Sequence, residues 1–326
     1  MKKIILCVLI FLLLVIGFFF VGSPPRAEKI VWGVNFSQKH AEGLGLDWQQ
    51  TYSALIDDLG AKNIKLATYW DLIEKEEGNY DFTDLDRQIG EAEQKEVSLL
   101  LVIGMKSPRW PECHIPEWAK GLNKEEQQEN ILELLEKTVL RYSSSPAVTM
   151  WQIENEPFFP FGECPWVDKE FLKEEVELVK SLDKEKRPVL ISDSGEGSFW
   201  IQAAKLGDIV GTTMYRKVWF RQLEVYVTYP LRPVFYARKA EIIEKLFGKE
   251  VICVELQAEP WGPELLYTSP LSEQEKTMNL EQFQKNIEFA RRTGFDRFYL
   301  WGAEWWYWMK EKQEQPAIWQ EAERLF

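Results

Sequence analysis

This chain of 326 residues has few histidines, fewer basic than acidic residues, and no recognisable nucleotide-binding motif. Its 2 histidines lie at unrelated positions, so they supply neither a zinc site nor a persuasive Ser-His-Asp triad. Lys and Arg number 39 against 52 Asp and Glu, and the net charge of -13 argues against nucleic acid or an anionic membrane surface as a partner. No GxGxxG fingerprint, P-loop or internal repeat is evident, which argues against a doubly wound nucleotide fold and a solenoid.

Aromatic residues, by contrast, are abundant, with 15 Trp, 11 Tyr and 19 Phe. Flat apolar rings can belong to the core, but Trp beside Pro and Gly in loops is typical of stacking platforms. Sugar rings have apolar C-H faces that stack on such platforms. A neutral carbohydrate therefore suits both the charge and the aromatic content.

The N-terminus carries an apolar run at residues 4–21, preceded by Lys2 and Lys3. The run is long enough to cross a bilayer and lacks a good cleavage site, so residues 1–22 are predicted to be an uncleaved anchor in contact with lipid. The basic residues before it predict a cytoplasmic N-terminus and an extracytoplasmic location for the rest of the chain. A tether at residues 23–29 then precedes the main domain at residues 30–326.

Short apolar runs alternate with amphipathic stretches from Ile30 onward, and eight such pairs can be counted. The predicted strands are residues 30–36, 63–69, 97–104, 148–153, 188–192, 208–214, 251–254 and 298–301. The predicted helices are residues 48–59, 83–95, 124–142, 169–182, 198–204, 235–246, 272–293 and 316–326. Eight βα pairs predict an α/β fold, a closed (β/α)8 TIM barrel preceded by one transmembrane helix.

The fourth predicted strand ends in Asn155-Glu156-Pro157, with aromatic residues on both sides. Residues after the carboxyl ends of parallel strands usually form the ligand site. The Asn-Glu-Pro signature resembles the acid/base motif of the clan A retaining glycosidases, the cellulase-like (β/α)8 enzymes. Residues 70–86 independently resemble the W-x-x-x-E-x-x-x-G-x-Y-x-F-x-x-L-D stretch after strand two of many cellulase-like and β-galactosidase-like barrels, and we interpret them as a structural loop.

The resemblance implies roles for residues at the strand ends. Glu156 would be the acid/base, and Glu255, which closes the seventh strand, would be the nucleophile, with Glu259 as the alternative. Asn155 would contact the sugar 2-hydroxyl. Relatives usually carry an Arg on strand two, where this chain has Lys65, and the two residues are not interchangeable at a bidentate site.

Further candidates for substrate binding lie on the loops and later strands. Tyr215, after strand six, matches the family's Tyr that touches the nucleophile, and a core-edge position is the alternative. Trp301, which ends strand eight, matches the Trp that forms the floor of the sugar site, and Trp261 lies in the loop after strand seven. The Pro- and Trp-rich loop after strand three contributes Arg109 and His114, and His114 is either a substrate contact or a loop scaffold.

Two other features shape the predicted barrel mouth. Cys113 and Cys164 lie on neighbouring loops of one barrel face, so we expect a disulfide in an oxidising compartment, with free thiols as the alternative. Residues 217–232 form a long aromatic insertion, which is typical of a lid or a binding wall.

With acidic residues at strand ends four and seven, the resemblance implies a retaining glycoside hydrolase that cleaves O-glycosidic, β-linked bonds of a neutral oligo- or polysaccharide by double displacement. This chemistry needs no metal and no organic cofactor. The alternatives are a transglycosylase, a non-catalytic carbohydrate-binding barrel and a membrane-tethered protein whose aromatic loops dock a partner. The last two do not require carboxylates at both strand ends.

Overall fold

Eight parallel strands close into a barrel in which each strand pairs with its neighbours along the chain. The computed structural model describes residues 2–326, apart from the side chains of residues 2, 3, 8, 11 and 12. The strands are β1 (Val31–Phe36), β2 (Asn63–Ala67), β3 (Ser98–Ile103), β4 (Val148–Ile153), β5 (Val189–Asp193), β6 (Ile209–Met214), β7 (Lys217–Phe220), β8 (Val225–Thr228), β9 (Glu250–Gln257) and β10 (Arg297–Trp301). Strands β7 and β8 form an antiparallel hairpin outside the barrel. The predicted α/β TIM barrel is confirmed.

Helices pack around the outside of the barrel, and most of them connect successive strands. They are α1 (Lys2–Phe20), α2 (Gln38–Gly43), α3 (Trp48–Asp57), α4 (Trp70–Ile73), α5 (Thr83–Gln94), α6 (Lys124–Tyr142), α7 (Lys169–Leu182), α8 (Ile201–Leu206), α9 (Pro233–Phe247), α10 (Leu271–Gln274), α11 (Leu280–Arg291), α12 (Ala303–Lys312) and α13 (Ala317–Glu323). The single helix predicted at residues 272–293 is wrong, because α10 ends early and the Asn279 side chain caps a separate α11 by accepting the N-H of Gln282 (2.9 Å).

Apolar side chains pack in two layers, inside the barrel and between the barrel and its helices. The inner cluster comprises Leu100, Met150, Leu190, Ile209, Ile252, Val254 and Tyr299. Leu99 and Leu101 belong instead to the outer cluster, as the alternation of side chains along a strand requires. Lys65 on β2 pairs in register with Leu100 on β3. A charged side chain therefore shares the barrel interior, and its partners are described below.

The N-terminal helix α1 packs on the barrel through its carboxyl end. Phe19 contacts Phe199 and Phe235, with ring centroids 6.0 and 5.8 Å apart, and Arg232 donates to the carbonyl of Phe20 (3.0 Å). Within the part of the chain that the structure describes, no helix is both long and apolar enough to cross a membrane. The predicted membrane anchor and its lipid contact through residues 4–21 are therefore not supported.

Candidate active site

Glu255 lies near the carboxyl end of β9, and side chains from two other strands hold both of its carboxylate oxygens. Lys65 on β2 donates to Oε1 (2.8 Å), and the hydroxyl of Tyr215, just after β6, donates to Oε2 (2.9 Å). Glu255 is 2% exposed and Lys65 is 1% exposed. Because an ammonium and a hydroxyl each take one oxygen, the carboxylate is fixed in a single orientation. The contact between Tyr215 and Glu255 is the one that the family resemblance implies.

Glu154 and Glu156 follow β4 and point to different places. Both have a positive φ, 56° and 44°, which costs about 1 kcal/mol or more for a residue with a Cβ. The Glu154 carboxylate accepts the N-H groups of Met105 (2.7 Å) and Lys106 (2.5 Å), so it secures the loop after β3. For Glu156 the backbone is held instead, because its N-H donates to Ser192 Oγ (2.9 Å) and its carbonyl accepts from Lys106 Nζ (3.0 Å). The carboxyl group of Glu156, unlike that of Glu154, is therefore available to exchange a proton with a substrate.

The carboxyl group of Glu156 is buried beside Glu255. Thr213 Oγ1 lies 3.5 Å from Glu156 Oε1. Burial raises the pKa of Glu156 well above its usual range, and the negative charge of Glu255, and that of Glu112 when it is ionised, raise it further, while Lys106 lowers it. Two carboxyl groups in such different environments can divide the roles of proton donor and nucleophile. Glu156 suits the donor, and Glu255, paired with an ammonium, suits the nucleophile.

The side-chain amide of Asn155 connects Lys65, the partner of Glu255, to the loop after β3. Its Oδ1 accepts from Lys65 Nζ (3.3 Å) and Gln152 Nε2 (3.1 Å), and its Nδ2 donates to Glu112 Oε2 (3.3 Å). Lys65 therefore contacts both Asn155 and Glu255 from the strand where relatives usually carry an Arg. An ammonium has three donor hydrogens, so one lysine can serve both acceptors.

Glu112 is a residue of this site that the sequence motifs do not indicate. It lies in the loop after β3 with φ 72° and is 6% exposed. Burial raises its pKa to about 8, with Lys106 lowering it and Glu255 raising it. A Glu in a Pro-rich loop carries no signature of its own. The available signal was its neighbour Cys113, since a disulfide to the loop after β4 brings this part of the chain close to Asn155.

Cys113 and Cys164 form the predicted disulfide between the loops after β3 and β4. The two loops are also joined by hydrogen bonds from the Asn155 N-H to the Lys106 carbonyl (2.7 Å) and from the Glu163 N-H to the Pro111 carbonyl (2.9 Å). A surface cleft of about 600 Å³ lies beside the disulfide, and the two predicted catalytic glutamates are not among its lining residues. The joined loops thus form one wall of the barrel mouth.

Arg109 ties the loop after β3 to the opposite side of the mouth. Its guanidinium pairs with Glu259 after β9 and with Glu304 in α12 (3.2 Å), and its Cζ lies 3.9 Å from the ring centroid of Trp301. Although burial raises the pKa of Glu259, Arg109 and His40 lower it to about 2. The pairing of Glu259 with Arg109 favours Glu255 as the nucleophile. The guanidinium also covers one face of Trp301, so that face is not open to a sugar in this arrangement.

His114 lies inside the loop after β3 and is 1% exposed. Its Nδ1 is 3.0 Å from Lys39 Nζ, and its Nε2 is 3.1 Å from the carbonyl of Arg109. Burial, reinforced by Lys39, lowers its pKa to about 3. A neutral ring that donates through Nε2 to its own loop and accepts at Nδ1 from Lys39 in α2 has both nitrogens engaged by the protein. The structure therefore favours the scaffold interpretation of His114 over substrate contact.

Trp261 lies in a row of aromatic rings that leads away from Glu255. Its ring centroid is 5.1 Å from Tyr215 and 5.7 Å from Phe161, and Phe161 is 6.0 Å from Trp110. Trp110 at the outer end of the row is 42% exposed. The predicted aromatic insertion stands beside this row as the hairpin of β7 and β8, where the Trp219 N-H donates to the carbonyl of Trp261 (3.0 Å). The hairpin is positioned as a wall of the mouth.

Comparison with solved structures places this architecture among known barrels. A β-galactosidase from the Antarctic haloarchaeon Halorubrum lacusprofundi matches with a TM-score of 0.56 at 16% identity, over 83% of this chain and 52% of that one. A GH5_18 structure from Streptomyces cattleya in complex with GlcNAc matches with a TM-score of 0.58 at 11% identity, over 84% and 70%. Xylanase 10B from Thermotoga petrophila in complex with xylobiose matches with a TM-score of 0.55 at 16% identity, over 84% and 82%.

No family model matches this chain, and no curated protein matches it either. The chain spans about half the length of the β-galactosidases that it resembles. At these identities the likeness establishes the fold alone, which is the (β/α)8 barrel.

Proposed function

We propose that this protein, a barrel with the clan A glycoside hydrolase fold, is a retaining glycosidase that cleaves β-linked O-glycosidic bonds of a neutral oligo- or polysaccharide. The proposal rests on one observation, which is that two neighbouring carboxyl groups have different surroundings. Glu255 has a donor on each oxygen, one of them the Lys65 ammonium, whereas burial and nearby negative charge favour the protonated form of Glu156. A retaining mechanism needs this division of roles.

In the first step, an oxygen of Glu255 attacks the anomeric carbon while the bond from that carbon to the leaving oxygen breaks. Glu156 gives its proton to the leaving oxygen, and a glycosyl ester forms on Glu255. The ester removes the negative charge of Glu255, which otherwise raises the pKa of Glu156. The pKa of Glu156 therefore falls when the group must act as a base.

In the second step, water attacks the anomeric carbon and gives a proton to the Glu156 carboxylate. The ester bond breaks, Glu255 regains its charge, and the product keeps the configuration of the substrate. Lys65 and the Tyr215 hydroxyl stabilise the departing carboxylate, because both already donate to it in the free protein. Asn155, next to Glu156, forms a hydrogen bond with the sugar 2-hydroxyl, and this bond strengthens in the transition state.

The aromatic row from Tyr215 to Trp110 suits the leaving part of the substrate. It begins at the residue that contacts Glu255 and ends at an exposed Trp, passing the Phe161 ring on the loop that follows Glu156. Apolar ring faces of this kind stack on sugars without requiring charge. Further sugars or an aryl group of the substrate would lie along it.

The barrel at residues 30–326 is assigned to an extracytoplasmic, oxidising compartment. The disulfide between Cys113 and Cys164 supports this assignment, because disulfides persist in such compartments and are rare in the cytosol. Peptide mapping of the native protein without reduction tests it. Recovery of both thiols in alkylated form from cells would count against the assignment.

Chemical rescue of two variants tests the catalytic roles separately. With aryl glycosides that have very good leaving groups, Glu156→Ala should still form the ester, and azide should restore turnover and yield a β-glycosyl azide of retained configuration. Glu255→Gly should lose the ester step, and azide filling the vacated space should yield the azide of inverted configuration. A fluorinated mechanism-based glycoside should label Glu255. Labelling of Glu259, or near-normal activity of Glu255→Gly, would refute the assignment.

A further inference from the structure

The loop after β3 holds Glu112 tightly in place. The Glu112 N-H donates to the Arg109 carbonyl (2.7 Å), and the Glu112 carbonyl accepts from the Ser107 N-H (2.8 Å). Gly162 packs so closely that a Cβ at that position would lie 2.5 Å from the Cβ of Glu112. The next residue, Cys113, is cross-linked to the loop after β4. These contacts maintain a positive φ of 72°, a conformation that persists only where the surroundings enforce it.

The amide of Asn155 has one preferred orientation because the groups at its two ends differ. Lys65 and Gln152 present N-H donors, and they face Oδ1 at 3.3 and 3.1 Å. Glu112 presents a carboxyl oxygen, and it faces Nδ2 at 3.3 Å. A flipped amide would set its NH2 group against the Lys65 ammonium, which has no acceptor to offer. Glu112 takes one of the two Nδ2 hydrogens, and among the described residues the other has no hydrogen-bond partner.

We propose that Glu112 is a positioning residue, which orients Asn155 so that its second Nδ2 hydrogen is donated to the sugar 2-hydroxyl. The proposal rests on the proposed glycosidase function and assigns a loop residue to it. Glu112 acts through Asn155, without touching the reacting atoms. The hydrogen bond to the 2-hydroxyl strengthens as the transition state forms, so the effect of Glu112 falls on kcat and kcat/KM together.

The uncharged form of Glu112 also fits this role. Burial raises the pKa of Glu112 to about 8, with Glu255 raising it and Lys65 and Lys106 lowering it. At neutral pH most of the carboxyl group is therefore protonated, and its carbonyl oxygen still accepts from Asn155. The site gains an acceptor for the amide without a further negative charge beside Glu156 and Glu255.

The test compares Glu112→Met, which has similar length but no strong acceptor, with Glu112→Gln, which keeps a carbonyl oxygen. Both are assayed on a pair of aryl β-glycosides that differ in the presence of the 2-hydroxyl. Glu112→Met should lower kcat/KM for the 2-hydroxy substrate by about 10- to 100-fold, the loss of one oriented hydrogen bond in the transition state. For the 2-deoxy substrate the same variant should change kcat/KM by less than about threefold. Glu112→Gln should restore most of the activity.

Glu117→Gln is the matched control, because Glu117 lies in the same loop and its side chain is 87% exposed. It should leave both rates unchanged. In an Asn155→Ala background the effect of Glu112→Met should disappear, as it acts through that amide. Equal losses on both substrates, or no loss on either, would overturn the positioning role while leaving the glycosidase intact. A parent protein that cleaves neither substrate would overturn the proposed function and this inference with it.

Discussion

Replacing Cys113 and Cys164 together by Ala should lower the free energy of unfolding by about 4 kcal/mol. The disulfide joins residues 51 positions apart, and a cross-link over a segment of this length removes unfolded-chain entropy worth about 4 kcal/mol at 25 °C. The closed segment contains α6 and β4, so the effect falls on the barrel itself. Activity should fall as well, because the loop that carries Glu112 loses its covalent tie.

Equilibrium denaturation followed by Trp fluorescence measures this change, and added reductant supplies the control. The parent protein in reductant should unfold at the free energy of the double variant, and the variant should not respond to reductant. Comparison of the variant with the reduced parent protein shows whether the Ala substitutions change the free energy of unfolding by themselves. A difference below about 1 kcal/mol between the parent and the variant would refute the reasoning, because it would mean that the cross-link constrains nothing that the fold does not already constrain.

Three other predictions follow from the buried charges. Lys65→Met should destabilise the protein by about 3 to 5 kcal/mol in equilibrium denaturation, since it leaves the buried Glu255 carboxylate without its ammonium. Lys65→Arg keeps a positive charge and should lose less stability and less glycosidase activity. The pKa of Glu112 is raised from 4.5 to about 8 in the folded protein, so folding favours its protonated form. The free energy of unfolding should therefore decline as pH rises through this interval. Denaturation at several pH values measures the decline, and Glu112→Gln should flatten it. The alkaline limb of kcat/KM should lie above the usual carboxyl range, because burial raises the pKa of Glu156, and a limb near pH 4 to 5 would contradict the acid role.

Strand positions could be predicted because a parallel barrel buries both faces of its strands, which leaves runs such as Ser98–Ile103 almost continuously apolar. The acidic residues after β4 and near the carboxyl end of β9 follow from the same logic, since the ligand site of such a barrel lies at those strand ends. The choice of Glu156 over Glu154 came from the family motif. Its physical reason, the capture of the Glu154 carboxylate by two N-H groups of the loop after β3, is a tertiary contact that no local pattern contains.

Loop residues were harder to predict because their partners lie far along the chain. Arg109 meets Glu259 across 150 residues, and its guanidinium covers the Trp301 ring that the motif assigns to the sugar floor. The nitrogens of His114 are engaged by the Arg109 carbonyl in its own loop and by Lys39, 75 residues away in α2, which a lone His in a sequence does not reveal. The apolar run at residues 4–21 predicted an anchor from composition, whereas the structure shows the end of that helix packed against aromatic side chains of the barrel.

The bond between Cys113 and Cys164 joins the loops after β3 and β4 into a single structural unit. Glu112 and Arg109 come from one loop, Glu156 from the other, and the Gly162 site admits no side chain while Glu112 occupies its place. Transplanting either loop alone between related barrels would bring an unpaired thiol and a steric clash. Successful recombination at this mouth must therefore exchange both loops together, so diversity on this side of the barrel is expected to arise by swapping the pair.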